Sequence, residues 1–346
     1  MSINLYFDSA ATTPLHPEVW KEMEAVRDIW GNAGSRHVEG FRARKKMDGY
    51  LQRIADSLGV ARDQLVLTHG GTDANRKVLW AMRKRIGSEN LWCSAQEHSS
   101  ISDEVLEDHQ FNARTFGGLP RNPQFIAIMQ ANNETGELFD VVALRKKYPN
   151  AIILSDWVQG VGKMPINFSE IDFVTISAHK FYGPKGAGIL YIRNPEQYRD
   201  LSKDTHTKDL ITLAGMAKAL ELLKSENASI LQKLTESIEG FIRKNIQNYK
   251  IHASDRKRVP GIISVAFKGI RGSELMAKLS DEEGICISTG SACTSDILAP
   301  SRIIQQIEKD SKWQYPIRIG LHTLLTDTDI QHFCELLAHY VGEMRD

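Results

Sequence analysis

The chain has 346 residues, 42% hydrophobic and 25% charged, which is enough apolar material for a sizeable core and, by length, for two domains. Its 43 basic and 43 acidic residues cancel, so no global field draws it to nucleic acid or to a membrane surface. The N-terminal MSINLYFDSA has neither a basic nor an apolar signal region, and nowhere does an apolar run approach membrane-spanning length; the expectation is a soluble, cytoplasmic protein with reduced thiols.

Short β-rich runs alternate with segments of helical period. QLVLTH precedes DANRKVLWAMRKRI, QFIAIMQA precedes VVALRKKY, and AIILSD, DFVTISAH and AGILYIR follow. This alternation predicts an α/β fold whose sheet is mostly parallel and wrapped by helices. From Ile230 to Tyr249, apolar residues at Ile230, Leu234, Ile238, Phe241, Ile242 and Tyr249 form one stripe of a long helix that leads into a second domain. GIISVAF, the helix GSELMAKLSDEEG, ICIS, PIRIGL and the helix DTDIQHFCELLAHYVGEM then read as a smaller α+β unit. The predicted division is a large domain over 16–228 and a small one over 1–15 and 229–346.

Three stretches can carry chemistry. In LVLTHGGTDANRKVL a strand runs through Gly70, Gly71 and Thr72 into a helix, an arrangement that brings backbone N–H groups and a helix N-terminus to an anion; alone, it reads as readily as a glycine turn capped by Thr72 or Asp73. In TISAHKFYGPKGAG a strand delivers Ser177, His179 and Lys180 to its C-terminal end, where open α/β sheets bind ligands. Lys180 there is a candidate Schiff-base lysine, or a solvated lysine beside a turn. In AIILSDWVQG a strand ends in Asp156, followed by Gln159; such an Asp either caps a helix or faces a pyridinium nitrogen. A phosphate cradle, a strand-end Asp and a strand-end Lys together make up a pyridoxal 5'-phosphate (PLP) site, and no metal is called for. The four cysteines (Cys93, Cys286, Cys293, Cys334) have no CxxC and no metal-ligand spacing, so neither a disulfide framework nor a zinc site is expected.

At these residues the sequence resembles the NifS-like cysteine desulfurases of the class V aminotransferase family. The matching blocks are YFDSAATTP (6–14), GNAGSRH (31–37), THGGTDAN (68–75), QEHSSI (96–101), ANNETG (131–136), SDWVQGVGKMPI (155–166), SAHKFYGPKG (177–186), STGSACTS (288–295) and IRIGL (317–321). The resemblance implies the PLP-dependent aspartate-aminotransferase-like fold, with a large domain carrying the sheet and a smaller α+β domain. It implies Lys180 as the Schiff-base residue, Asp156 on the pyridine nitrogen, and Gln159 and Asn133 near the phenolic oxygen. Gly71, Thr72, Ser177 and His179 hold the phosphate in this reading, and His98 and Val158 lie on opposite faces of the ring. Arg318, with Asn32 and Asn133, binds substrate, Arg318 as a bidentate clamp on its carboxylate. Cys293 is the nucleophile: it attacks the sulfur of bound L-cysteine, keeps it as a persulfide, leaves L-alanine, and passes the sulfur to an acceptor protein or small thiol. His98 moves protons in this cycle. Cys286 and Cys334, in apolar surroundings, read as structural.

Two departures stand out. The segment 193–216 is shorter than in family members and lacks their glycines; counting back from Ala214-Gly215-Met216 places Thr207 on the family threonine that reaches the phosphate of the neighbouring subunit, which implies a homodimer. After Arg318, Leu321-His322-Thr323 stands where the family commonly has Leu-Gly-Arg. Alternatives are a selenocysteine lyase, another PLP lyase or aminotransferase, and a weakly active subunit that positions a partner in a sulfur-transfer assembly. Iron–sulfur cluster assembly, tRNA thiolation and DNA sulfur modification all remain open as the destination of the sulfur, with a carrier protein rather than direct nucleic-acid binding expected.

Overall fold

The computed structural model describes residues 5–202, 209–223, 225–290 and 299–345. Its chain divides into two compact units, one of Pro14–Gln130 and Phe139–Lys224, the other of Met1–Thr13, Ala131–Leu138 and Ser225–Asp346.

The larger unit is built on seven strands: β1 (Leu65–Thr68), β2 (Leu91–Ser94), β3 (Gln110–Phe111), β4 (Phe125–Ala127), β5 (Ile152–Asp156), β6 (Phe173–Ser177) and β7 (Gly188–Ile192). They lie in the order β1-β7-β6-β5-β4-β2-β3. Only β7 runs against its neighbours; all other pairs are parallel. Successive strand residues enter different cores: Ile126, Ile153, Val174 and Ile189 join one, while Phe125, Leu154, Phe173 and Leu190 join the other. A sheet buried on both faces needs such apolar runs, which is why these strands show no polar alternation.

Helices α1 (Pro17–Glu24), α2 (Val38–Leu58), α3 (Gly71–Ile86), α4 (Ser99–Ser102), α5 (Val141–Lys147), α6 (Arg199–Ser202) and α7 (Leu210–Glu221) complete this unit. Arg53 of α2 donates to Glu22 of α1 and, through two nitrogens, to Glu221 of α7, so one side chain ties three helices.

The smaller unit holds α8 (Ser225–Asn245), the strands β8 (Tyr249–Ile251) and β9 (Ile262–Phe267), α9 (Gly272–Glu283), α10 (Arg302–Ile307), β10 (Ile317–Gly320) and α11 (Asp327–Glu343). Its antiparallel sheet has the order β10-β9-β8. The N-terminal segment enters the same layer, Tyr6 bridging to Cys286 and Asp8 to Gly320, while the Phe7 ring stacks on Phe333 at 4.3 Å. Cys286–Ser288 is held by isolated bridges rather than as a regular strand. Among the described residues no helix is long and apolar enough to cross a membrane.

Two sequence expectations are corrected. Tyr249 does not extend the α8 stripe: Asn248 takes φ +49°, a left-handed conformation that Asn tolerates, and turns the chain into β8. Ala131–Leu138, inside the predicted large domain, groups with the smaller unit because Leu138 N–H donates to Lys257 O, Val259 N–H donates to Gly136 O, and Glu137 bridges to Arg258.

His252 in the smaller unit is 2% exposed, with Nδ1 3.0 Å from Ser264 Oγ and Nε2 3.0 Å from Trp313 O. Burial dominates these contacts and pushes its pKa from 6.5 down to about 4. The folded state therefore holds the ring neutral, and the unfolded chain binds the proton first as pH falls. This contribution to stability is intact above about pH 6.5, is lost between about 6.5 and 4, and amounts to on the order of 3 kcal/mol. Urea unfolding as a function of pH should show the loss, and His252→Asn should flatten the profile in that window.

Candidate active site

Because β7 is antiparallel to both β1 and β6, the strands β1, β2, β4, β5 and β6 all point the same way, and their carboxyl ends share one edge of the sheet. Six of the sequence-predicted residues arrive there directly: Gly71 and Thr72 after β1, His98 after β2, Asp156 at the end of β5, Ser177 at the end of β6, and Lys180 three residues later.

Lys180 ends a 3-10 turn, Ala178–Lys180. The turn is tight because Ala178 O accepts the N–H groups of both Phe181 and Gly183, and Ala178 N–H is held by Ala187 O. Lys180 and His179 are half-buried. Burial, and then the positive charges of Lys180 and Lys185, lower His179 from 6.5 to about 4, so this ring is neutral at neutral pH.

The cradle after β1 is shaped by glycine. Gly70, the N-cap of α3, has φ +139°, which an L side chain rarely adopts, and it offers no side-chain cap. Asp73 does not cap the helix either: its carboxylate accepts the N–H of His69 at 2.9 Å. The first-turn amides of α3 therefore keep their positive end for a ligand anion. Gly71 packs so closely that a Cβ there would come within 2.7 Å of Val158 Cγ2, and a Cβ at Gly70 would lie 3.5 Å from Ser177 Oγ. Gly71, Val158 and Ser177 thus share one wall, and Thr72 is exposed at its rim.

Asp156 is 7% exposed. Oδ1 accepts Val158 N–H at 2.8 Å and Oδ2 accepts Asn75 Nδ2 at 3.0 Å. Asn75, 1% exposed, also donates to Ser100 Oγ at 3.0 Å, and that hydroxyl lies 2.9 Å from His98 Nδ1. A continuous chain, Asp156–Asn75–Ser100–His98, results. Ser100 N–H donates to the same Nδ1 at 3.1 Å, so the neutral His98 ring carries its proton on Nε2. Burial lowers the His98 pKa, with Asp156 pulling it up and Lys180 pushing it down. Glu97, next to His98 in the chain, is 1% exposed and its Oε1 accepts Ser94 Oγ at 2.5 Å and Met129 N–H at 2.7 Å, which pins the loop that carries His98. Gln159, 3% exposed, accepts Lys163 Nζ on Oε1 at 3.0 Å. Asn75 and Ser100 were not foreseen from sequence; the only signal was their place inside the blocks THGGTDAN and QEHSSI.

Other predicted residues are not carried by the strand ends of this sheet. Asn32 is exposed, its Oδ1 closing a local turn by accepting Gly34 N–H at 2.8 Å. Arg318 and Asn133 belong to the smaller unit. There Arg318 is 3% exposed and Asn133 half-buried. Arg318 Nη1 donates to Asn133 O at 2.9 Å and Gly290 O at 3.2 Å, and Nη2 to Asp8 Oδ1 at 2.9 Å. Glu134 beside them is 5% exposed, and burial raises its pKa against the pull of Ser301, Arg318 and Arg302. Cys293 and Thr207 lie outside the described residues. Cys334, 2% exposed, has its thiol pushed up to about 12 by burial, which suits a packing role rather than a reactive one.

Residues 5–333 match the family described as Aminotransferase class-V. The chain belongs to the class-V aminotransferase family. Enzymes of this family work with PLP. Over 380 residues the chain is 30% identical to a protein named Cysteine desulfurase IscS from Dictyoglomus turgidum, covering 100% of this chain and 96% of that one. It is 29% identical to the Cysteine desulfurase IscS of Proteus mirabilis, covering 100% and 95%. The fold superimposes on a NifS-like protein from Rickettsia africae with a TM-score of 0.82, at 24% identity and over 98% and 99% of the two chains.

The sheet edge fits PLP on its own chemistry. Both hydrogen bonds to Asp156 come from neutral groups, so among the described residues its buried charge has no cation in contact, and a protonated ring nitrogen supplies one. The uncapped start of α3 suits the phosphate, and the Lys180 amine, at the end of its turn, is of the chemical type that would hold the aldehyde. Since Asn75 joins Asp156 to the His98 arm, Asn75→Ala should lower kcat/KM by about tenfold, the cost of about one charge-assisted hydrogen bond, whereas Asn75→Gln should recover part of it. Steady-state kinetics with cofactor occupancy read from visible absorbance checks this.

Proposed function

We propose that the chain is a PLP-dependent cysteine desulfurase: it converts L-cysteine to L-alanine, retains the sulfur as a persulfide on Cys293, and passes it to an acceptor protein. The observation that carries this reading is the convergence, at one sheet edge, of an uncompensated buried carboxylate (Asp156), a lysine on a tight turn (Lys180) and an uncapped helix start, in a chain similar to cysteine desulfurases over its whole length.

PLP, when bound, supplies the electron sink that makes the substrate Cα–H acidic. Asp156 keeps the ring nitrogen protonated, and Gln159 and Asn133 serve its phenolic oxygen. Gly71, Thr72, Ser177 and the neutral His179 hold the phosphate, joined by Thr207 of the partner subunit in a homodimer. Val158 and His98 enclose the ring. Lys180 Nζ anchors the cofactor and takes the Cα proton. His98, with its proton on Nε2, donates there rather than from Nδ1, which the Ser100 amide occupies. Arg318 takes the substrate carboxylate, and Asn32 and Asn133 serve the substrate as well. The Cys293 thiolate attacks the substrate sulfur: an S–S bond forms, the substrate C–S bond breaks, and the carbon left behind is protonated to L-alanine. The protein is cytoplasmic in this reading, and its acceptor serves a pathway such as iron–sulfur cluster assembly or thiolation.

Intact-protein mass after a brief incubation with L-cysteine tests this, with alanine measured in the same tubes. Wild type should gain one sulfur atom and form alanine, and Cys293→Ser should gain none while keeping the absorbance of the bound cofactor. Lys180→Ala should lose that absorbance. Alanine formed without sulfur on Cys293 would replace the desulfurase reading with a lyase.

A further inference from the structure

The donors of Arg318, in β10, can be counted one by one. Of the five N–H groups of an arginine, the two on Nη1 go to the backbone oxygens of Asn133 and Gly290, and one on Nη2 goes to Asp8 Oδ1 at 2.9 Å. Nε–H and the second Nη2–H are left. Nε is buried and has no acceptor among the described residues, in a side chain only 3% exposed.

Neighbouring oxygens are in the same condition. Asn133 Oδ1, Glu134 Oε2 and Ser288 Oγ are buried with no hydrogen-bond partner among the described residues. Ser288 lies opposite Arg318 in an antiparallel bridge, and Arg318 is bonded to the backbone of residue 133. Orphaned donors and acceptors are rare in folded proteins, and a group of them together marks a place that a polar ligand completes.

Asp8 is the carboxylate bonded directly to Arg318, while Glu134, its pKa raised by burial, and Arg302 are the other ionisable groups nearby. The Asp8 backbone is fixed independently of the arginine: the segment bridges to Gly320, with Gly320 N–H donating to Phe7 O and Ser9 N–H to Gly320 O. The anchored backbone keeps Asp8 within reach of Arg318, and its Oδ1 accepts Nη2 at 2.9 Å. What remains for a ligand is two hydrogen-bond donors beside a nearly neutral ion pair, rather than an unbalanced cation.

We propose that Asp8 is a specificity-determining positioning residue, which makes the Arg318 subsite accept one singly charged carboxylate and reject doubly charged anions. The proposal rests on the reading of Arg318 as the residue that takes the substrate carboxylate. A planar carboxylate uses both remaining donors and meets the like charge of Asp8 once. A dianion such as sulfate meets that repulsion twice over, in surroundings where charges are poorly screened. Asp8 thus discriminates by repulsion, not by an added contact.

The test is competitive inhibition of L-cysteine turnover by acetate and by inorganic sulfate, at fixed ionic strength, on the PLP-loaded enzyme. Asp8→Asn and Asp8→Ser both remove the charge, and the second does so with a smaller side chain; Asp8→Glu keeps the charge. In the two neutral variants the ratio of the sulfate to the acetate inhibition constant should fall at least about tenfold from the wild-type value, and Asp8→Glu should restore it. A ratio that stays within about twofold of wild type in both neutral variants overturns the proposal, because loss of fold or of general activity moves both constants together. Arg318→Lys separates this from the reading beneath it. If that variant leaves the KM for L-cysteine unchanged, the carboxylate assignment of Arg318 falls; if KM rises while the Asp8 ratio stays constant, only the role of Asp8 falls.

Discussion

A buried carboxylate held by neutral donors is the constraint on which the rest of the site depends. Asp156 ends a strand whose apolar residues enter two cores, and its carboxylate is held in the buried site by Val158 N–H and Asn75. Taking a charge out of solvent without a partner is costly, and a native structure tolerates it where a ligand completes the pair. The parallel strands supply the geometry for that completion. Their common direction puts the lysine turn, the histidine loop and the glycine cradle at the same edge as the carboxylate.

The electrostatics of this edge are consistent with that role. Burial lowers both His98 and His179, so neither ring brings a positive charge of its own at neutral pH. In the proposed function the cationic partner of Asp156 is then the cofactor. His98 is oriented twice, by the Ser100 amide and by the Asn75–Ser100 link that starts at Asp156. One hydrogen-bonded chain therefore joins Asp156 to His98, to which the proposed function gives, respectively, the cofactor's charge and the movement of protons.

Much of this was legible in the sequence because it was written in local periods. The strands of the large sheet are apolar runs bounded by turn residues, the helices carry 3.6-residue stripes, and Asp156, Ser177 and Lys180 stand at strand ends in short motifs. What escaped were partnerships between distant positions. Asn75 and Asp156, or Asp8 and Arg318, meet only after the chain has folded, and nothing in their own neighbourhoods announces the contact. Ala131–Leu138 escaped for a similar reason, since its unit is decided by backbone hydrogen bonds to 257–259. Tyr249 matched the helical stripe of α8 by coincidence of spacing, and a single left-handed Asn248 overrode it.

The charge of Asp156 is the part of the account on which the cofactor, and through it the reaction, depends. Its most direct test is the dissociation constant of PLP for the apoprotein, measured for wild type and for Asp156→Asn, which keeps the size and hydrogen-bonding reach of the side chain but not its charge. Loss of a buried charge-assisted hydrogen bond predicts binding weaker by about a hundredfold, together with a cofactor spectrum that no longer reports a protonated ring nitrogen. Equal affinity and an unchanged spectrum would contradict the account.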